Sequence, residues 1–248
     1  GHVAAADTIV RLIERAGSDA NIKALVLRVD SPGGGVVASD EIHHALTQLD
    51  KPIVVSMGSV AASGGYLISA AADYVYTTPY TLTGSIGVIS QFVTVEDLLN
   101  KFGVEVVVIT AGDAKDFGSF HRDMTEEERA YWDSLLEETH EGFIQAVAEG
   151  RNMPVEDVRA VADGRIVLGE QAVELGLVDE TGYLDDAIAK AGELSGLGDR
   201  PNVVEIEPEA GLLEALYSFQ ASQTLPPGFD LLLRALTPPS LEYRFVWP

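Results

Sequence analysis

Apolar and polar positions along the chain alternate between two periods. Ile9, Leu12 and Ile13 fall on one face and Arg11 and Glu14 on the other, which predicts an amphipathic helix over residues 4–16. Residues 22–29 form an apolar run with Ala-Leu-Val-Leu-Arg-Val at its centre, which predicts a strand. That run enters Asp30-Ser31-Pro32-Gly33-Gly34-Gly35, and a helix is expected over about residues 39–49. Ile53, Val54 and Val55 start a second buried strand, and residues 61–72 are rich in helix formers. Ser63 stands at the joint, followed by Gly64 and Gly65, where a bulky residue would keep a peptide backbone away. The order strand, glycine turn, helix recurs, so an α/β fold with a parallel sheet and crossover helices is expected. In such sheets ligands gather at the carboxyl ends of the strands, and both glycine turns open there.

Further along, residues 74–76 predict a short strand, and residues 82–89 a tight turn leading into another. A helix is expected over residues 95–102, and the β-branched run 104–110 predicts a buried strand. Periodicity is lost over residues 111–123, a loop that carries Lys115. Thr125 and Glu128 make a capping box at the head of a long helix whose Trp132, Leu135, Leu136, Phe143 and Val147 recur at core spacing. Helices follow at about 154–162, 169–175 and 184–194, and residues 203–206 suggest a last strand. Pro226-Pro227 and Pro238-Pro239 punctuate the tail, in which residues 241–245 alternate as a half-buried strand does, able to join a sheet edge of its own subunit or a neighbour's. With no internal repeat, residues 1–200 are expected to form one catalytic domain and residues 201–248 a carboxyl-terminal extension.

Composition narrows the chemistry. The 16 Lys and Arg against 39 Asp and Glu give a net charge of −23, which argues against nucleic-acid binding. The absence of cysteine excludes thiol chemistry and disulfides, and no metal-ligand cluster, phosphate loop or cofactor motif is present, so neither metal nor cofactor is expected. No apolar run has the length of a membrane span, and the start at Gly1-His2 suggests a fragment whose anchor would lie upstream.

Serine hydrolysis needs a nucleophile, a base and oxyanion donors. Ser63 is the candidate nucleophile, and the amides of Gly64 and Gly34 are candidate donors. Two bases remain open. His121 is the one histidine in a loop that could reach the site, since His43, His44 and His140 lie within helices and His2 is terminal. Lys115 would serve only when neutral, its pKa brought from about 10.4 in water to roughly 7–8, so the flanking Asp113 and Asp116 should point away from it.

Four stretches in order, Val29–Gly35, Ser56–Tyr66, Thr81–Val88 and Lys115-Asp116 with Met124–Glu128, resemble the signal peptide peptidase A family, membrane-bound serine peptidases of the S49 type. The stretches Ala162–Arg165 and Gly176–Glu180 match as well, and the resemblance runs from about Ser18 to Gly196. It implies a crotonase/Clp-protease-like superhelix of β-β-α units. It also implies Ser63 as nucleophile, Lys115 as general base, Ser85 as the hydroxyl orienting that lysine, and Gly34 and Gly64 as oxyanion donors. The pattern is similar to the short, bacillus-type form, which implies degradation of signal-peptide remnants and other apolar, unfolded segments. A ring or dome homo-oligomer, with an octamer the first expectation, and an extracytoplasmic place at the bacterial cell membrane go with it. Two other roles compatible with the fold are a crotonase-type acyl-CoA enzyme and a non-catalytic scaffold.

Overall fold

Strand β3, Ile53–Ala62, is the element on which the sheet is built, because almost all of it is buried and three other strands pair with it. In the computed structural model, which describes residues 6–206 and 242–244, its first half lies between β1 (Leu25–Ser31) and β4 (Tyr74–Thr77), both parallel to it. Its second half pairs in parallel with β5 (Leu82–Gly84). Beyond β5 lies the antiparallel β6 (Ile166–Leu168), and beyond β4 the two-residue β7 (Glu180–Thr181). The expected α/β fold is thus present, with a sheet that is parallel except at one edge.

The chain divides into two units. Among the described residues the first comprises 6–89, 138–206 and 242–244, and the second 90–137. In the first unit, α1 (Ala6–Ser18) precedes β1, α2 (Val36–Thr47) and α3 (Gly64–Ala70) provide the crossovers from β1 to β3 and from β3 to β4, and α6 (Val155–Val161), α7 (Gly169–Glu174) and α8 (Leu184–Leu194) follow the long helix α5 (Glu126–Gly150). Its core gathers Val55, Met57, Tyr66, Ile86, Phe143 and Val147, all at most 1% exposed. α4 (Glu96–Phe102) and the start of α5 belong to the second unit, and Trp132, Leu135 and Leu136 there are only half-buried.

Four expectations change. Strand β3 continues to Ala62, so the elbow helix starts at Gly64 instead of residue 61. Around residues 82–89 the strand precedes the turn, because Gly84 and Ser85 take left-handed backbones that end it. Residues 104–110 form no strand, and Ile109 is 93% exposed; a β-branched run needs a pleated neighbour to pack on, and none pairs with it among the described residues. Residues 203–206 are likewise unpaired in that set and outward, with Val204 79% exposed. The tail expectation is met over residues 242–244, which form β8 (Glu242–Arg244) antiparallel to β2 (Gly33–Gly35); residues 241 and 245 lie outside the described residues.

Candidate active site

Ser63 connects β3 to α3 with φ 54° and ψ −120°, outside the regions open to an L-residue without strain. The main chain is fixed on both sides. Its N–H donates to the Gly84 carbonyl at 2.8 Å, and its carbonyl accepts the Leu67 N–H at 2.9 Å, which begins the helix. The side chain is fully buried, and Oγ has no hydrogen-bond partner among the described residues. A buried hydroxyl left unpaired on a strained backbone is costly, and such costs gather at functional positions.

The first glycine turn is held against this elbow. A Cβ on Gly65 would come within 2.6 Å of the Ser31 carbonyl oxygen, so only glycine lets α3 approach β1 this closely. Register between β1 and β3 breaks after Val29↔Met57 and resumes at Ser31↔Ala61. There Asp30 Oδ1 accepts the Val60 N–H at 3.0 Å, and its carboxyl group occupies the space that a Cβ on Gly58 would need. Gly34 follows in β2 opposite Tyr243, with open space where a side chain would project. Gly64 is the first residue of α3, where helix amides have no intrahelical acceptor.

Ser85 stands at the end of β5 with φ 52° and is 6% exposed. Its N–H donates to the Arg165 carbonyl at 2.8 Å, and β6 covers that edge. Hydroxyls stitch the strands below it: Thr81 Oγ1 donates to the Gly58 carbonyl at 2.8 Å and Thr83 Oγ1 to the Ala61 carbonyl at 2.6 Å. The first unit therefore brings together Ser63, Ser85, Gly34 and Gly64 at the carboxyl ends of parallel strands.

Lys115 belongs to the second unit, with an exposed side chain on a turn closed by its N–H to the Gly112 carbonyl at 3.1 Å. Asp116, expected to face away from it, is bound by Arg122, whose Nε donates to Asp116 Oδ2 at 3.0 Å. Arg122 also pairs with Glu128, which is 1% exposed, and Arg122 and Thr125 hold the Glu128 carboxylate down at about 2. The capping box is present: Thr125 N–H donates to Glu128 Oε2 at 2.7 Å, and Glu128 N–H to Thr125 Oγ1 at 3.2 Å. The sequence reading missed Arg122. Its signal was a lone arginine beside Asp123 in a loop whose other fixed cation is Lys115.

His121 lies in the same loop, its ring edge-on to Phe120 at 5.7 Å between centroids. His43 lies on α2, and burial lowers its pKa. Among the described residues no group of three or more His, Cys, Asp or Glu is arranged to hold a metal, and no helix is long and apolar enough to cross a membrane.

The sequence profile of Peptidase family S49 matches residues 45–198, most of the sheet and both serines. The chain belongs to peptidase family S49. A Clp protease profile matches residues 2–83, in keeping with the shared fold. Among S49-like relatives, a putative protease of Synechocystis sp. is 45% identical over 74% of this chain and 66% of its own length. A putative protease of Methanocaldococcus jannaschii is 37% identical over 84% of this chain and 68% of its own. A protein of Enterococcus faecium described as a putative signal peptide peptidase SppA is 42% identical over 68% of this chain and 50% of its own. The chain thus spans between half and about two thirds of these S49 relatives.

Proposed function

We propose that the chain is a serine endopeptidase with a Ser63–Lys115 dyad. The observation that carries the reading is the buried Ser63 hydroxyl, without a hydrogen-bond partner among the described residues, on its strained elbow. Ser63 Oγ attacks the scissile carbonyl carbon while Lys115 Nζ takes its proton. The Gly34 and Gly64 amides hold the oxyanion, and Ser85 orients the lysine. Collapse of the tetrahedral intermediate breaks the C–N bond, with Lys115 giving the proton to the leaving amine, and water then releases the acyl group from Ser63. A crotonase-type role would leave the strain at Ser63 without a purpose.

Substrates are extended, apolar, unfolded segments such as signal-peptide remnants, which add to the Gly33–Gly35 edge as strands. The antiparallel pairing of Glu242–Arg244 there supports this, since that edge already accepts an extended backbone. The reading includes a homo-oligomer of ring or dome form acting outside the cytoplasm at a bacterial cell membrane; family membership supports both.

The test is cleavage of a fluorogenic apolar peptide by the unmodified protein, Ser63→Ala, Lys115→Ala and His121→Ala. Loss of turnover in the first two variants, with folding intact and His121→Ala active, is expected. An active Lys115→Ala with a dead His121→Ala would replace the dyad by a histidine mechanism. Size-exclusion chromatography showing only monomer would remove the ring.

A further inference from the structure

The turn that carries Lys115 is held chiefly by the Arg122 side chain. All five N–H groups of Arg122 are used. Nε binds Asp116 Oδ2 at 3.0 Å, one Nη2 hydrogen binds the Asp116 carbonyl at 3.1 Å, and the other binds Glu128 Oε1. Nη1 binds Glu128 Oε2 at 2.9 Å and the Asp123 carbonyl at 3.1 Å. The same Asp116 carbonyl accepts Ser119 Oγ at 2.6 Å and the Ser119 N–H at 3.1 Å. Glu128 anchors the arginine from the first turn of α5, buried and fixed by the capping box. A planar fork meeting a carboxylate, a second carboxylate and two carbonyls defines one geometry, which a lysine ammonium does not reproduce.

We propose that Arg122 is a positioning residue for Lys115. By gripping both the carboxylate and the carbonyl of Asp116, it fixes the backbone next to Lys115 and keeps the Asp116 charge occupied. Without that grip Asp116 is free to pair with the neighbouring ammonium and hold it charged, which is the wrong state for a base. The charged or titratable groups around the turn include Asp113, Asp116, His121, Arg122, Asp123 and Glu128, with Glu96 of α4 accepting the Asp123 N–H and Tyr131 of α5 packed edge-on against Phe117; of the two acids flanking Lys115, Asp116 is the one Arg122 binds. The proposal rests on the Ser–Lys reading.

The experiment follows kcat and KM against pH for the full chain, Arg122→Ala, Arg122→Ala/Asp116→Asn and Arg122→Lys, with Lys115→Ala as reference. In Arg122→Ala, kcat should fall about tenfold or more with KM little changed, and the acid limb of kcat/KM should move up by about one pH unit or more. Adding Asp116→Asn should move the limb back and recover part of kcat, a rescue that a merely structural role for Arg122 would not give. Arg122→Lys carries the test should Arg122→Ala not fold: the charge persists, so kcat falls while the limb stays in place. No rescue by Asp116→Asn, or a limb that does not move in Arg122→Ala, overturns the proposal while leaving the dyad intact. Wild-type turnover in Lys115→Ala overturns the dyad, and the proposal falls with it.

Discussion

Ser63 and Ser85 each follow one member of the register pair Ala62↔Gly84, and each carries a left-handed backbone, at φ 54° and 52°. Two adjacent parallel strands thus end in the same unusual way on the same edge. The Ser63 N–H donating to the Gly84 carbonyl ties one ending to the other.

That shared strain predicts a trade between stability and activity. Ser63→Gly should relieve about 1–3 kcal/mol of backbone strain, offset by about 0.5–1 kcal/mol of extra unfolded-state entropy. A melting temperature raised by a few degrees, with peptide cleavage abolished, is the expected result of calorimetry and the fluorogenic assay together. A Ser63→Gly protein that melts lower would show that the elbow stores no strain.

Gly65→Ala should be harmful without touching the chemistry directly. The new methyl meets the Ser31 carbonyl, a backbone atom that cannot step aside, so α3 must shift from β1. About 1–3 kcal/mol of stability should be lost, and kcat should fall as the two glycine turns separate. Denaturant unfolding and steady-state kinetics check both.

Tyr66 is fully buried beneath the elbow, and its hydroxyl donates to the Leu177 carbonyl at 2.8 Å. Burial pushes the phenol pKa upward, so the group stays neutral and serves as a donor. Tyr66→Phe leaves that carbonyl unpaired and should cost about 1–3 kcal/mol, read as a lowered midpoint in urea.

Glu128 predicts an acid-labile second unit. Arg122 and Thr125 lower its pKa from 4.5 to about 2 in the folded chain. The resulting stabilisation is complete above the unfolded value and is lost as pH falls from about 4.5 towards 2. Glu128→Gln should therefore be less stable than the unmodified protein at pH 7, and the gap should narrow as acid is added. Thermal melts from pH 7 to 3 measure it.

Much of this was legible from local pattern. The alternation of β-branched runs with glycine turns located β1, β3 and the elbow, and the capping box located the head of α5, because these features depend on neighbours close in sequence. The run 104–110 misled for the opposite reason. Its composition asks for a pleated neighbour, and whether one exists is decided far away in the chain. The short β6 and β7 gave no signal, since two or three residues are too few for a period. Arg122 escaped because five hydrogen bonds converge on it from residues whose roles become visible only when the loop folds back.

The strand Glu242–Arg244 has a consequence for how affinity should be measured. A segment tethered to the molecule it binds acts at an effective concentration that can reach about millimolar, whatever the protein concentration. On the proposed substrate reading, incoming peptides displace this resident strand, so the KM of the full chain exceeds the edge's own dissociation constant by a factor independent of dilution. Shortening the chain before residue 241 should lower KM with kcat unchanged. With substrates taking that edge as proposed, Glu242–Arg244 competes with them, and removing it by trimming would leave a more avid form.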